Sequence, residues 1–242
     1  PQRRDHRREC PYHPGMGRLM ADQPMTPLPS ATVVLVRGGG SELETLLLQR
    51  AGREGQPGPW VFPGGRVEPH DVVGGDESSV ATARLAATRE TQEESGLHLA
   101  ADTLGLLSRW VTPEVSPKRF DTWFFIAEHD EAQSVQVDGE EMVDHRWIGA
   151  REALDADWIR LAPPQFVTLT WLLDFPHARA AAIELPERDF VTFRPRICRT
   201  DTGAVMLYTG DAGYESADPN LPGARHRCVT DATWRYRYER TS

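Results

Sequence analysis

Residues 89–97 read RETQEESGL, and this stretch determines how the rest of the chain is interpreted. Its carboxylates Glu90, Glu93 and Glu94 stand at positions i, i+3 and i+4. On an α-helix these positions fall within an arc of roughly 100° on one face. Like charges at this spacing repel one another, and the nearest cation, Arg89, stands beside the cluster. The arrangement is explained by a hard divalent cation held among the carboxylates, since Mg²⁺ or Mn²⁺ prefers oxygen ligands.

The sequence around this stretch predicts the bounds of its helix. Asp76 or Ser78 is expected to cap the N-terminus, because a short polar side chain can accept a hydrogen bond from the first free amides. The helix is predicted to run to about Ser95. Gly96 follows at the position where a helix C-terminus favours a left-handed residue.

The same helix carries small residues one to two turns before the carboxylates, namely Ala83, Ala86 and Ala87. Small side chains allow another backbone to approach closely. The FPGG segment at 62–65 is the expected partner, because glycine permits close approach and unusual dihedral angles. In that arrangement the carbonyl of Gly64 becomes an additional oxygen ligand for the cation.

Together, FPGG and RETQEESGL resemble the Nudix box, whose usual form is G-x5-E-x7-RE-U-x-EE-x-GU, where U is aliphatic. The C-terminal half matches closely, whereas two features depart from the pattern. Gly65 and Arg89 are 24 positions apart instead of the usual 14, so about ten residues are inserted. The counterpart of the first Glu is therefore open between Glu68 and Glu77. Thr91 stands where an aliphatic residue is usual, which is expected to affect packing more than chemistry.

The pattern of elements and the resemblance together imply an α/β (α+β) fold: a Nudix α/β/α sandwich with a mixed sheet and a C-terminal β-rich extension. Residues 31–50 are predicted to form a β-hairpin. We predict a flexible N-terminal tail over 1–29, a Nudix hydrolase domain over 30–180, and an extension over 181–242 that packs on the same domain. In the extension, alternation of Trp234, Tyr236 and Tyr238 with polar residues predicts a half-buried strand.

The resemblance implies roles for particular residues. The implied metal ligands for Mg²⁺ or Mn²⁺ are Gly64, Glu90, Glu93 and Glu94. The implied catalytic residues are Arg89, which orients the carboxylates, and a general base, for which Glu90, Glu140 and Glu141 remain alternatives. Arginine suits bidentate phosphate contacts. The expected substrate-binding residues are Arg50, Arg53, Gly65 and Arg119.

Further segments indicate a branch of the family. LLLQRA, WVFPGGRVEPHD, KRFDTWFF and MLYTGDAGY, taken with the long loop, resemble the peroxisomal enzymes that cleave coenzyme A and acyl-CoA. The implied reaction is Mg²⁺-dependent hydrolysis of the diphosphate of a nucleoside diphosphate derivative. For coenzyme A or acyl-CoA, the products would be phosphopantetheine, or its acylated form, and 3′,5′-ADP.

Two alternatives to this reaction remain open. One is an ADP-ribose, nucleotide-sugar or dinucleotide pyrophosphatase, and Pro113, 16 residues beyond Leu97, keeps ADP-ribose among the substrates. The other is a non-catalytic Nudix nucleotide sensor. All three carboxylates of the box are present, which disfavours the sensor. Trp110, Trp123 and Phe124 could stack a nucleobase, but core packing is favoured.

Composition and charge limit which kinds of partner and compartment are expected. The 242-residue chain has a formal net charge of -9, which disfavours nucleic acid as a partner. No apolar run is long enough for a membrane span, so no membrane partner is expected. The three cysteines are far apart and suggest neither a disulfide scaffold nor a zinc site, which favours the cytoplasm. A homodimer is left open by analogy with the family.

Overall fold

The computed structural model describes residues 25–39, 42–52, 58–129, 131–231 and 235–241. Its strands are β1 Leu28–Gly39, β2 Glu42–Arg50, β3 Trp60–Val61, β4 Gly64–Arg66, β5 Gly105–Val111, β6 Phe120–Glu128, β7 Met142–Gly149, β8 Val191–Phe193, β9 Arg196–Thr200, β10 Gly203–Leu207, β11 His226–Asp231 and β12 Tyr236–Arg240. Its α-helices are α1 Val80–Ser95, α2 Ala150–Asp155, α3 Pro163–Leu172 and α4 Ala178–Glu184, and short 3-10 helices span Pro69–Asp71 and Ala101–Thr103. Arg53, Trp234 and most of the predicted tail lie outside the described residues.

The first sheet is mixed, with eight strands among the described residues. Its main path runs β3-β2-β1-β6-β5-β8, with β4 paired to β1 and β7 paired to β2. The predicted hairpin is confirmed, since β1 and β2 pair antiparallel from Val36 opposite Thr45 to Gly39 opposite Glu42. β1 also pairs with β6 in parallel and with β4 antiparallel, so it lies at the centre of the sheet.

Alternating side chains of β1 divide the core into two layers, because successive residues of a strand point to opposite faces. Val33 and Leu35 pack with the alanines of α1. Val34 and Val36 belong to a second cluster, which contains residues of α2, α3 and α4. The sheet is thus covered by helices on both faces, and the predicted α/β/α sandwich with a mixed sheet is confirmed.

The C-terminal segment forms a second, four-stranded antiparallel sheet in the order β12-β11-β10-β9. It shares its core with the first sheet. Trp110 of β5 stacks on Phe193 of β8 with ring centroids 3.8 Å apart and an interplanar angle of 6°. Tyr208 and Cys228, both fully buried, belong to the same hydrophobic cluster. The predicted half-buried strand at Tyr236 and Tyr238 corresponds to β12, whereas the sequence analysis did not identify β11, whose segment HRCVTD combines polar and apolar residues without a clear period.

No helix among the described residues is long and apolar enough to cross a membrane. Cys198 and Cys228 are buried free thiols, and Cys10 lies outside the described residues.

Candidate metal centre and catalytic cleft

Helix α1 presents the carboxylates and is closed at both ends by local hydrogen bonds. Ser79 is its N-cap and accepts a hydrogen bond from the amide of Thr82. The N-cap therefore lies one residue after Ser78 and three residues after Asp76, the two predicted caps. Asp76 instead orders the preceding turn, because its carboxylate accepts hydrogen bonds from the amide and the hydroxyl of Ser78. Gly96 ends the helix with φ of 70°, as predicted from its left-handed preference.

The FPGG turn lies directly against the carboxylates. The carbonyl of Pro63 accepts hydrogen bonds from the Val33 amide and the Thr32 hydroxyl, at 2.9 and 2.8 Å, which fixes the turn to β1. The amide of Gly64 donates to Oε2 of Glu94 at 2.8 Å. A Cβ added to Gly65 would lie only 2.3 Å from Oε1 of Glu90. Any side chain at this position would occupy the space of the Glu90 carboxylate.

Burial raises the pKa of the carboxyl groups of both Glu90 and Glu94. Desolvation raises the pKa of Glu94 to about 8, although the hydrogen bond from the Gly64 amide opposes this shift; the charge of Glu90 adds to it. The pKa of Glu90 is also raised, mainly by burial and against the effect of Arg89. Two partly desolvated carboxylates that repel each other favour either a bound proton or a bound cation.

Arg89 is the centre of an ion-pair network beside these carboxylates. Its guanidinium lies 3.0 Å from Oδ2 of Asp71, 3.1 Å from Oε1 of Glu90 and 2.8 Å from Oε2 of Glu93. It also donates to the carbonyl of Arg66 at 2.9 Å. The guanidinium is held at four points, and the Glu90 carboxylate is one of them.

Asp71 is a residue of the candidate site that the sequence analysis did not name. The structure places this buried aspartate, and not Glu68 or Glu77, against Arg89. Burial alone would raise the pKa of Asp71, but hydrogen bonds from Arg89 and from the Glu68 amide lower it below its usual value. The signal was present in the spacing, because Asp71 follows Gly65 after five residues, as the first Glu of the box does. The ten-residue insertion therefore lies entirely between Asp71 and Arg89.

Thr91 is the other departure from the usual box, and its side chain shows how the helix accommodates it. It is fully buried, and its hydroxyl donates to the Ala87 carbonyl of the preceding turn at 2.7 Å. The hydroxyl is thus satisfied within the helix, and the methyl group contributes to packing.

The donor set suits a hard divalent cation. Glu90 and Glu94 converge beside the glycine turn, and all the candidate ligands are oxygen atoms. Glu93 is more than half exposed and bonds Arg89. Among the described residues, no three His, Cys, Asp or Glu side chains are already assembled around one point. The residues fit Mg²⁺ or Mn²⁺ through Glu90 and Glu94, with Glu93 at the edge of the site.

Of the predicted general bases, Glu141 lines the cleft beside the carboxylates, together with Arg50, and forms an ion pair with Arg50. Glu140 is exposed in the turn before β7, outside the residues that line the cleft. Asp138 orders this turn by accepting hydrogen bonds from three successive amides, those of residues 140–142.

Arg119, predicted to bind substrate, has a different environment. It is buried, and its guanidinium donates to the carbonyls of Thr112 and Met25 at 3.1 and 2.8 Å. These bonds fix the start of the described chain to the loop before β6. Arg119 is absent from the lining of the cleft, so these bonds favour a structural role, and its assignment to substrate binding stays a prediction. Trp110 and Phe124 pack in the core as expected, and the indole of Trp123 donates to the Ser78 carbonyl.

One cleft of about 1650 Å³ is lined by residues of the glycine turn, the carboxylate helix and β2, together with Glu141: Arg50, Gly64, Gly65, Arg89, Glu90, Glu93 and Glu141. A model of the NUDIX domain matches residues 26–169, which is more than half of the chain. The chain belongs to the Nudix family. The Nudix box of this protein is therefore the segment from Gly65 to Leu97, with Asp71 in place of its first Glu.

Similarity to individual proteins agrees with this assignment. The protein is 30% identical over 132 residues to the acyl-coenzyme A diphosphatase NUDT19 of Xenopus laevis, a match that covers 50% of this chain and 34% of that protein. A relative from Caenorhabditis elegans is 29% identical over 154 residues, covering 48% of this chain and 50% of the relative. The matches thus span half or less of these relatives' length. A NUDIX hydrolase from Alicyclobacillus acidocaldarius has the same fold, with a TM-score of 0.56 and 24% identity over 65% of this chain and 96% of that chain.

Proposed function

We propose that this Nudix protein is a Mg²⁺- or Mn²⁺-dependent pyrophosphohydrolase that cleaves the diphosphate of a nucleoside diphosphate derivative. Coenzyme A or acyl-CoA is the proposed substrate, with 3′,5′-ADP as one product. The observation that carries the proposal is the approach of the Gly64–Gly65 turn to Glu90 and Glu94, two desolvated carboxylates on one helix face.

The protein's own residues supply the positioning. Glu90, Glu93 and Glu94 hold the cation, and Arg89 with Asp71 keeps the Glu90 carboxylate in place. A divalent ion bound there would neutralise phosphate oxygens and lower the pKa of water. Arg50 faces the same cleft and is available to pair with a phosphate when its contact with Glu141 opens.

Glu141 is the proposed general base, in preference to Glu140. It lines the cleft next to the carboxylate helix, whereas Glu140 does not. A proton taken from the attacking water would pass to the Glu141 carboxylate, which forms an ion pair with Arg50 in this structure. Glu90 remains the second candidate for this role, because its raised pKa is compatible with accepting a proton.

The proposal of coenzyme A rests on the long insertion after Asp71 and on the name of the Xenopus laevis relative. ADP-ribose is the second candidate substrate, because Pro113 lines the cleft, where the sequence analysis kept that substrate open. A nucleotide sensor is disfavoured, since the three carboxylates and their supporting ion pairs are all in place.

The test is incubation of purified protein with Mg²⁺ or Mn²⁺ and coenzyme A, acetyl-CoA, ADP-ribose or NADH, followed by mass identification of products. We expect phosphopantetheine and 3′,5′-ADP from coenzyme A. AMP with ribose phosphate would favour ADP-ribose instead. Glu94→Gln should remove most activity, whereas Glu77→Gln in the exposed turn should remain active. If no diphosphate in the panel is cleaved, the proposal is refuted.

A further inference from the structure

The cleft continues beyond the carboxylates to a second wall built by the C-terminal sheet. We propose that this wall is a subsite for an uncharged, apolar chain attached to the substrate's diphosphate, and that it sets the enzyme's preference for such chains. The inference rests on the proposed pyrophosphohydrolase function and deepens it. It assigns a binding role to residues outside the Nudix box and outside the 26–169 region.

Strand register shows which face of the C-terminal sheet lines the cleft. Residues directly opposite one another in an antiparallel pair share a face. One such row consists of Arg199, Ala204, Thr230 and Tyr236, and all four line the cleft. The next row contains Ile197 and Met206, which also line it. Part of this sheet face therefore borders the cleft, whereas Cys228 and Tyr238, in the same row as Met206, pack in the main core.

The other face of the same sheet is already covered. Cys198, Val205 and Leu207 form a small cluster on that side, with Tyr214 packed against it. Since this side is occupied by the protein itself, the cleft side is the one available to a ligand.

The wall is mainly apolar at its centre. Ile197 and Met206 are adjacent across β9 and β10, and Pro195 precedes them. The same cleft is lined by Pro163 and Pro164 at the start of α3, and by Val115 and Pro117 in the loop before β6; Val115 is 74% exposed and Ile197 37%. Exposed apolar side chains in one cleft favour an apolar ligand. Arg199 stands at the hairpin end of its strand, away from this centre.

The other end of the cleft has a different character, since Arg66, Arg89, Glu90 and Glu93 line it. Charged groups suit the diphosphate and its cation. The volume of about 1650 Å³ exceeds the ~300–1,000 Å³ of common small-molecule sites. The cleft therefore has room for a diphosphate at the charged end and a long substituent along the apolar wall.

The test compares coenzyme A with octanoyl-CoA in two measurements on the full chain. Binding is measured by calorimetry in EDTA, and hydrolysis is measured with Mg²⁺ as kcat/KM. Burial of one methylene contributes about fourfold in affinity. We expect the octanoyl chain, which is partly buried on the wall, to improve both affinity and kcat/KM by about tenfold.

Ile197→Asp introduces a charge at the centre of the wall and should reduce the preference for octanoyl-CoA over coenzyme A to about twofold or less. Thr200→Asp is the matched control: it adds the same charge to the same strand at an exposed position outside the cleft, and should keep the preference. Ile197→Ser, an uncharged change, should give an intermediate value. Thermal unfolding is recorded for each variant, and Ile197→Ser substitutes for Ile197→Asp if the latter does not fold.

Equal affinities for coenzyme A and octanoyl-CoA, or no binding of octanoyl-CoA, would overturn the subsite even if coenzyme A is hydrolysed. An unchanged preference in the folded Ile197 variants would also overturn it. Failure of the pyrophosphohydrolase proposal has a different signature, namely no hydrolysis of any diphosphate with Mg²⁺. The tighter binding of octanoyl-CoA and its loss in Ile197→Asp would then still support the apolar subsite.

Discussion

Gly65→Ala tests the close contact between the glycine turn and the carboxylate helix. The added Cβ would lie 2.3 Å from Oε1, 2.4 Å from Cδ and 2.6 Å from Oε2 of Glu90. Ordinary separations between such atoms are about 3.5 Å, so the carboxylate must retreat by roughly 1 Å. The backbone at Gly65 does not have a left-handed φ, so the substitution acts through this contact.

A displacement of this size should be costly for catalysis. Misplacement of a reacting group by about 1 Å lowers rates by about a hundredfold, equivalent to about 2.7 kcal/mol in the barrier. Because Glu90 is a proposed cation ligand, we expect kcat/KM for coenzyme A to fall by about that factor, and the Mg²⁺ concentration for half-maximal rate to rise. The loss of unfolding free energy should be smaller, since the Glu90 carboxylate can rotate towards the cleft that it lines.

Two other glycines provide the controls. Gly38 of β1 has no atom within 4 Å of an added Cβ, so Gly38→Ala should be fully active. Gly64 has φ of 152°, and its Cβ would meet the backbone of Ala31 and Thr32, so Gly64→Ala should lower both stability and activity. Steady-state kinetics with a Mg²⁺ titration, together with thermal unfolding, separates the three variants. Wild-type kcat/KM and Mg²⁺ dependence in Gly65→Ala would refute the assignment of Glu90 to the metal centre.

Three further predictions concern residues that the tertiary structure places in buried ion pairs or hydrogen bonds. Asp71→Asn should lower kcat by about tenfold, because Arg89 is then positioned less well. Asp71→Glu should recover part of the lost rate. Equal rates for wild type and Asp71→Asn would argue against a role of Asp71 in positioning Arg89. Arg119→Ala should lower the unfolding free energy by about 2 kcal/mol with little change in KM, and a KM increase without loss of stability would support a substrate-binding role. Asp211 bonds Arg227 at 2.6 Å; burial alone would raise the pKa of Asp211, but the Arg227 hydrogen bond lowers it to about 2. Because the folded-state pKa is depressed, the associated stability is present above about pH 4 and is lost as the pH falls towards 2. Urea unfolding should show this loss in wild type, whereas Asp211→Asn should be less stable at pH 7 and less pH-dependent; identical pH profiles would contradict the pairing.

Several features were accessible from sequence because they depend on local geometry. The spacing of Glu90, Glu93 and Glu94 fixes them to one face of any helix that forms there. Gly96 was identified as the helix end by its tolerance of positive φ, which the structure confirms. The hairpin over 31–50 followed from a β-branched run, a glycine-rich turn and a second apolar run.

Other features escaped sequence analysis because they depend on contacts between separate segments. Glu68, Asp71 and Glu77 are all acidic and lie in one loop; the spacing from Gly65 favours Asp71, but burial against Arg89 is seen only in the folded loop. Arg119 belongs to a segment that resembles the family, yet its donors are committed to main-chain carbonyls, one of which lies 94 residues away along the chain. β11 was missed because its alternation is weak, and its position is fixed by pairing with β10 and β12.

The sequence by itself determined the family resemblance and the carboxylate helix, because both depend on residues less than about two helical turns apart or on short contiguous motifs. The tertiary structure decided what surrounds that helix: the aspartate that holds Arg89, the glutamate that faces the cleft, and the C-terminal sheet that forms its far wall. Each of these contacts joins distant segments of the chain. Their geometry depends on strand register and on the packing of one layer against another, which a local pattern of residues does not encode.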